Sequence, residues 1–142
     1  MIIFDMDGTL SIVGDRVKYL TQNPKDWNSF YEACDEDLPK TQIIKVLKAL
    51  EKNGYGIKIV TGRRESTREK TLVWLKECGI NIHTNDLHMR KDNDYRHDTT
   101  IKPELVKDFI NAIEMVFEDR NSMVKKWREL GITCLQVADG DF

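Results

Sequence analysis

The sequence predicts one Rossmann-like α/β domain: three layers, with a parallel sheet in the middle and only a minimal cap. Three observations predict it. Short apolar runs alternate with helical patterns along the whole chain. Those runs are mostly apolar, as strands covered on both faces are. The chain has 142 residues, 40% hydrophobic and 32% charged. That is enough to bury one core, and it leaves no room for a second catalytic domain.

The elements follow in order. Residues 2–4 (IIF) form a short strand that runs into Asp5, Asp7 and a DGT turn. Residues 24–34 place Trp27, Phe30, Tyr31 and Cys34 on one helical face, with Asp26 as the cap. The spacing favours packing for these aromatics, with base stacking as the alternative use. A helix over 40–53 carries Ile43, Ile44, Val46, Leu47 and Leu50. Pro39 suits its start and Gly54 its end. Residues 57–61 (IKIVT) form a second strand ending at Gly62 and Arg63. A helix follows from about Ser66, whose spacing to Glu69 fits a capping box. Leu72, Leu75 and Cys78 face the core and Gly79 closes that helix. Residues 80–82 read as a third strand.

From Asp86 to Lys102 the chain is polar, with four basic and four acidic residues, and reads as a long loop with a short strand around Leu87 and Met89. In it, Arg90, Lys91 and Arg96 could track a nucleic-acid backbone or simply face solvent. Residues 103–113 read as a helix with Lys102 at its start, and 115–117 (MVF) as a strand ending in Glu118 and Asp119. A helix capped by Asn121 then shows Val124, Trp127 and Leu130 before Gly131, and 133–138 form the last strand.

Composition narrows the partners. A net charge of −2 gives no global pull toward nucleic acid or an anionic membrane. No transmembrane or targeting segment is visible. Three widely spaced cysteines without a CxxC argue against a disulfide scaffold and suit a reducing, cytoplasmic setting. His83, His88 and His97 lack any zinc-type pairing.

The chemistry gathers at one sheet edge. Asp5 and Asp7 follow the first strand, and Glu118 and Asp119 follow the fourth. Open α/β sheets bind ligands at the carboxyl ends of their strands. Thr61 and Gly62 end another strand there, and Lys102 lies nearby. Any one of these features alone would read as a turn or a solvated surface. Together, hard oxygen ligands beside Lys, Thr and backbone donors make a site for a phosphate and Mg²⁺.

FDMDGTL at 4–10, TGR at 61–63, Lys102 and FEDR at 117–120 resemble, in order and spacing, the four motifs of the haloacid-dehalogenase (HAD) phosphohydrolase superfamily. The resemblance implies a HAD-like fold over 1–142, with a small lid insertion at about 11–38. It implies that Asp5 is the nucleophile, forming an aspartyl-phosphate, and that Asp7 is the acid and then the base. Thr61 would bond the phosphoryl group and Lys102 would neutralise charge. Mg²⁺ would be held by Asp5, the Asp7 carbonyl and Glu118 or Asp119. Many members have Asp where this chain has Glu118, so the resemblance leaves open which of the two acids ligates the ion.

Further features resemble the 3′-phosphatase domain of phage-type polynucleotide kinase–phosphatases: Arg16 nine residues after Asp7, Arg63 followed by Arg64 and Glu65, Asp98 four residues before Lys102, and the tail CLQVADGDF. By that likeness Arg16 and Arg63, beside Gly62, would grip the phosphate or the flanking nucleotide. Asp98 would position Lys102 or an Arg. No GxxxxGK[ST] kinase loop occurs. The implied function is Mg²⁺-dependent removal of a 3′-phosphate from a nucleic-acid end or a nucleoside 3′-monophosphate, in a host cytoplasm if the chain is phage-encoded. The rivals are a 5′-nucleotidase or metabolite phosphatase of the same fold, and a non-catalytic adaptor.

Overall fold

The computed structural model describes residues 1–142. The strands are β1 (Ile2–Phe4), β2 (Ser11–Ile12), β3 (Leu38–Pro39), β4 (Ile57–Arg64), β5 (Leu87–Arg90), β6 (Met115–Glu118) and β7 (Thr133–Gln136). The helices are α1 (Lys18–Thr21), α2 (Trp27–Glu32), α3 (Thr41–Lys52), α4 (Arg68–Glu77), α5 (Asp98–Leu105) and α6 (Asn121–Glu129). Five strands make one parallel sheet in the order β5-β4-β1-β6-β7. The architecture is therefore the predicted α/β one.

The pleat of β1 divides the core. Ile2 and Phe4 pack on one face with Ile44 and Leu47 of α3 and with Trp74 and Leu75 of α4. Ile3, between them, faces the other layer with Val106, Val124 and Trp127. With β1 central and covered on both faces, its carboxyl end opens where the order turns outward to β4 and to β6. That is the edge where such sheets bind ligands.

Residues 13–37 loop out between β2 and β3, which pair antiparallel through Ser11↔Pro39 and Ile12↔Leu38. This neck carries α1 and α2 over the sheet edge. Asp26 caps α2 as expected, its carboxylate accepting from the Ser29 N–H at 3.0 Å.

Several local expectations are corrected. Pro39 sits in β3 and not in the first turn of α3. Residues 80–82 are not a strand, because Ile80 is spent on ending α4. Its N–H donates to the Leu75 carbonyl at 2.9 Å and the Gly79 N–H to Lys76 at 2.9 Å, with Gly79 at φ +78, which is a Schellman ending. Ser66 caps nothing. Its N–H is taken by Asp92 at 2.9 Å, and residues 65–67 form a 3₁₀ turn before α4. α5 begins at Asp98, not 103. His97 Nδ1 accepts from the Thr99 N–H at 3.2 Å, and Pro103 is held in the second turn. Lys102 thus sits within a helix, on a fixed frame. Asn121 begins α6 without capping it, and its side-chain oxygen accepts from Gln136 at 2.6 Å.

Candidate active site

The carboxyl ends of β1, β4 and β6, the start of α5 and the looped-out segment enclose a cleft of about 930 Å³. Asp5, Asp7, Thr61, Gly62, Asp98, Lys102, Glu118 and Asp119 all line it. Gly8 turns the chain immediately after Asp7 at φ +92, and a side chain there would run into the Asp119 carboxylate. That close approach brings the DxD turn against the end of β6. Thr9 Oγ1 donates to Asp119 Oδ1 at 3.2 Å across the same contact.

Lys102 reaches in from α5 and joins two acids. Its Nζ donates to Asp5 Oδ1 at 2.7 Å and to Glu118 Oε2 at 2.8 Å. Burial opposes its charge, but Asp5 and Glu118 more than offset this and hold it protonated. Glu118 Oε1 accepts from the Asp119 and Arg120 N–H groups at 3.1 and 3.3 Å. Both of its oxygens are therefore occupied. Asp5 is pushed upward by burial and by the Glu118 charge, against the pull of Lys102. Asp119 is pushed up to about 6 by burial and by Asp5.

One carboxyl oxygen of Asp7 collects four donors: Ser11 Oγ at 3.2 Å, Arg16 Nη2 at 2.7 Å, Arg63 Nε at 3.0 Å and Arg63 Nη2 at 2.7 Å. Burial alone would raise Asp7, but Arg63 and Arg16 overcome it and hold it at about 2. All four bonds fall on Oδ1, and Oδ2 has no partner. This corrects the expectation that Arg16 and Arg63 face the substrate. Both are buried, Arg63 with 0% exposure, and neither lines the cleft. A disruption in the β4–β5 register between Thr61 and Arg64 turns Arg63 inward.

Asp37, which sequence reasoning missed, anchors the pair. It accepts from Arg16 Nε at 2.7 Å and Nη2 at 2.6 Å, and from Arg63 Nη2 at 3.4 Å. Ser11 Oγ reaches it at 3.1 Å. Nothing in its sequence neighbourhood distinguishes Asp37 from the exposed acids beside it.

Asp98 does not touch Lys102 by a hydrogen bond. It pairs with Arg90, and with Arg120 at 2.9 Å. Burial opposes its charge, yet Lys102, Arg90 and Arg120 hold it ionised. Arg90 is buried and not a solvent-facing tracker. It also donates to the carbonyls of Gly62 (3.0 Å), Asp94 (2.8 Å) and Arg96 (2.6 Å). A side chain at Gly62 would lie 2.6 Å from Asp98 Oδ1, so Gly lets β4 meet this cluster. The Thr61 hydroxyl accepts from the Arg63 N–H at 3.1 Å, which leaves its own proton for the cleft. The helical face divides. Cys34 is buried away from the cleft, while Phe30, buried, and Tyr31 and Trp27, the last 42% exposed, line it.

The acids fit a hard divalent cation. Oxygens of Asp5, Glu118 and Asp119 lie within 4.8 Å of one another, three buried carboxylates against one ammonium. Asp5 Oδ2, Asp119 Oδ2 and the Asp7 carbonyl have no hydrogen-bond partner, whereas Glu118 is filled by Lys102 and backbone. An all-oxygen set with surplus negative charge suits Mg²⁺.

A parallel sheet with two acids after its central strand, a buried Lys and an acidic close defines a HAD-type phosphatase. The family described as "Polynucleotide kinase PNKP phosphatase domain" matches residues 1–142, and the chain belongs to it. The chain is similar to a chain of the solved Pnkp1/Rnl/Hen1 complex, at 38% identity and TM-score 0.80, covering 99% of this chain and 46% of that one. A second structure, of the Pnkp1/Rnl/Hen1 RNA repair complex, matches at 37% identity and TM-score 0.83, covering 99% and 43%. The chain thus spans less than half the length of those relatives. The class C acid phosphatase of Bacillus anthracis shares the fold at 15% identity and TM-score 0.65, covering 97% of this chain and 65% of that one. No helix is long and apolar enough to cross a membrane.

Proposed function

We propose that this phosphatase is a Mg²⁺-dependent phosphomonoesterase that works through an aspartyl-phosphate and removes the 3′-phosphate of nucleic-acid ends or nucleoside 3′-monophosphates. One observation carries the mechanism: Asp5 and Asp7 each keep one carboxyl oxygen without a partner while the other is pinned. Two free carboxylate oxygens on one cleft supply a nucleophile and a proton carrier. The nucleic-acid substrate is supported by similarity to chains of an RNA repair complex.

In the first step Asp5 Oδ2 attacks phosphorus, a P–O bond forms, and the ester P–O bond breaks. The leaving alkoxide takes a proton from Asp7 Oδ2. The dianionic phosphate beside Asp7 raises its proton affinity for that step. In the second step water attacks the phosphorus and gives its proton back to Asp7, and orthophosphate leaves with Asp5 restored. Lys102 and the Thr61 hydroxyl spread charge from the phosphoryl oxygens. Asp119, the Asp7 carbonyl and the Asp5 oxygen not used in the attack would hold Mg²⁺, which would supply charge neutralisation to the phosphoryl group.

The test compares kcat/KM with Mg²⁺ for a 3′-phosphorylated oligonucleotide, 3′-dTMP and 5′-dTMP. Preference for the 3′ esters supports the reading. Preference for 5′-dTMP would identify a 5′-nucleotidase, and no phosphate release from any ester would identify an adaptor.

A further inference from the structure

Above the phosphate end of the cleft, aromatic and guanidinium groups pile up in a way the chemistry just described does not use. Trp27 and Tyr31 of α2 lie nearly parallel, with centroids 6.0 Å apart and planes at 26°. The Arg64 guanidinium sits 4.8 Å over the Tyr31 ring and 5.8 Å from the Tyr95 ring. Arg64 is held in place by Asn28 of the same helix at 2.6 Å. It is also the residue after Arg63, so the disruption that buries Arg63 against Asp7 delivers Arg64 to the rim.

Tyr95 is 78% exposed at the tip of the loop between β5 and α5. A free aromatic at a loop tip is ordinarily loose, but this loop is tied down. Arg90 Nη1 donates to the carbonyls on both sides of Tyr95, those of Asp94 and Arg96. The same guanidinium donates to the Gly62 carbonyl and pairs with Asp98. One buried side chain therefore fixes the phosphate end of the cleft and the Tyr95 tip in one frame. Trp27, Tyr31, Arg64 and Tyr95 all line the cleft that holds Asp5 and Asp7. Tyr31 also feels the Asp98 and Asp7 charges, although burial is the main cause of its raised pKa.

We infer that Trp27, Tyr31, Arg64 and Tyr95 form a stacking ledge for a nucleobase next to the scissile phosphate, so that the substrate is an unpaired nucleic-acid end read without regard to base identity. This rests on the phosphatase reading above. Aromatic faces and an Arg plane accept any base, because every base has a π-face. The ledge therefore offers stacking surface to any of them. A net charge of −2 is compatible with this, since stacking replaces the long basic groove that duplex binding would need. A base in a duplex is already stacked on both sides, so the ledge selects a frayed or single-stranded end.

The test uses two oligonucleotides carrying a 3′-phosphate, one with a normal terminal base and one with an abasic terminal sugar. Stacking of about 1–3 kcal/mol per base corresponds to roughly a 5- to 150-fold preference of the wild-type protein for the base-bearing substrate in kcat/KM. In Tyr95→Ala, and separately in Trp27→Ala, that preference falls at least fivefold. Absence of the preference in wild type, or its persistence in both variants, would overturn the ledge. A second readout needs no turnover: 2-aminopurine as the terminal base of a 3′-phosphorylated oligonucleotide should be quenched on binding wild type, and less on binding Tyr95→Ala. Turnover of 3′ esters without quenching removes the ledge and keeps the phosphatase reading. Quenching without 3′ turnover does the reverse.

Discussion

At the scale of single residues, the site turns on how each carboxyl oxygen is spent. Asp7 sits at about 2 because two guanidinium groups converge on one of its oxygens. In the proposed mechanism it is therefore ionised in the second step and ready to take a proton from water. Where that step limits turnover, the acidic limb of the kcat profile reports Asp7. Arg63→Lys keeps the charge but loses the paired Nε and Nη2 donors. Asp7 then rises, and the acidic limb moves to higher pH, as a kcat–pH profile would show. An unmoved limb would mean that Asp7 is not the base. Asp5→Asn removes the proposed nucleophile and should lower kcat by at least about a thousandfold, the scale of loss when a covalent nucleophile goes. The two closing acids separate in the same way. Asp119→Asn should raise the Mg²⁺ concentration needed for half-maximal rate about tenfold or more, the scale expected when a proposed ligand is lost. Glu118→Gln, which disturbs Lys102, should instead lower kcat with a smaller change in Mg²⁺ dependence. That Asp5, Asp7, Thr61, Lys102, Glu118 and Asp119 meet in one cleft was legible because each sits at a strand end or in a spaced motif. The direction in which Arg16 and Arg63 point was not, because sequence carries no sign of an inward-turned strand end. Asp37 was invisible for the same reason: its partners lie 21 and 26 residues away.

At the scale of elements, glycine and burial mark what could be read. Gly54, Gly79 and Gly131 end α3, α4 and α6 in the left-handed region, as a glycine after an amphipathic run suggests. The strands buried on both faces were equally legible. The polar stretch 86–102 was not. Its short strand and the start of α5 are set by Arg90, which organises the loop through three carbonyls and Asp98, and a buried Arg among charged neighbours gives no periodic signal. The aromatics of α2 were read toward the core because a helical face is the same whether it meets a core or a cleft. The looped-out segment and β4 are coupled through the Arg16–Asp37–Arg63 cluster. Asp37→Ala would leave two buried guanidinium groups with only Asp7 between them. Removing one member of a buried ionic network costs about 3–5 kcal/mol. Urea unfolding should show that loss in the midpoint, and Asp37→Asn, which keeps the shape and one acceptor, should lose less. Equal midpoints for Asp37→Ala and wild type would show that the cluster does not anchor the segment.

At the scale of the whole molecule, the domain is built around an excess of negative charge that it does not neutralise by itself. Asp5, Glu118 and Asp119 are buried with Lys102 as the only ammonium among them. Burial raises Asp5 and Asp119 above the ordinary carboxylate range, Asp119 to about 6. A folded-state pKa above the unfolded value means the folded state binds protons more tightly. These two groups therefore favour folding at low pH, and that contribution is lost as pH rises from about 4 through the raised values. A divalent cation bound at these acids would reverse the balance, since it would bind the ionised carboxylates of the folded state alone. At about 100 times its Kd such a ligand adds about 2.7 kcal/mol, on the order of 8 °C in Tm for a domain of this size. Protons compete for the same oxygens, so the gain shrinks in acid. Thermal unfolding with MgCl₂ against EDTA should show a large increment at pH 7.5 and a small one at pH 5. The metal-free protein should itself lose stability from these groups between those two values. Asp119→Asn should shrink the Mg²⁺ increment at pH 7.5, because it removes both a ligand and a titrating group. An increment that is the same at both pH values would show that the three acids are not the seat of the metal.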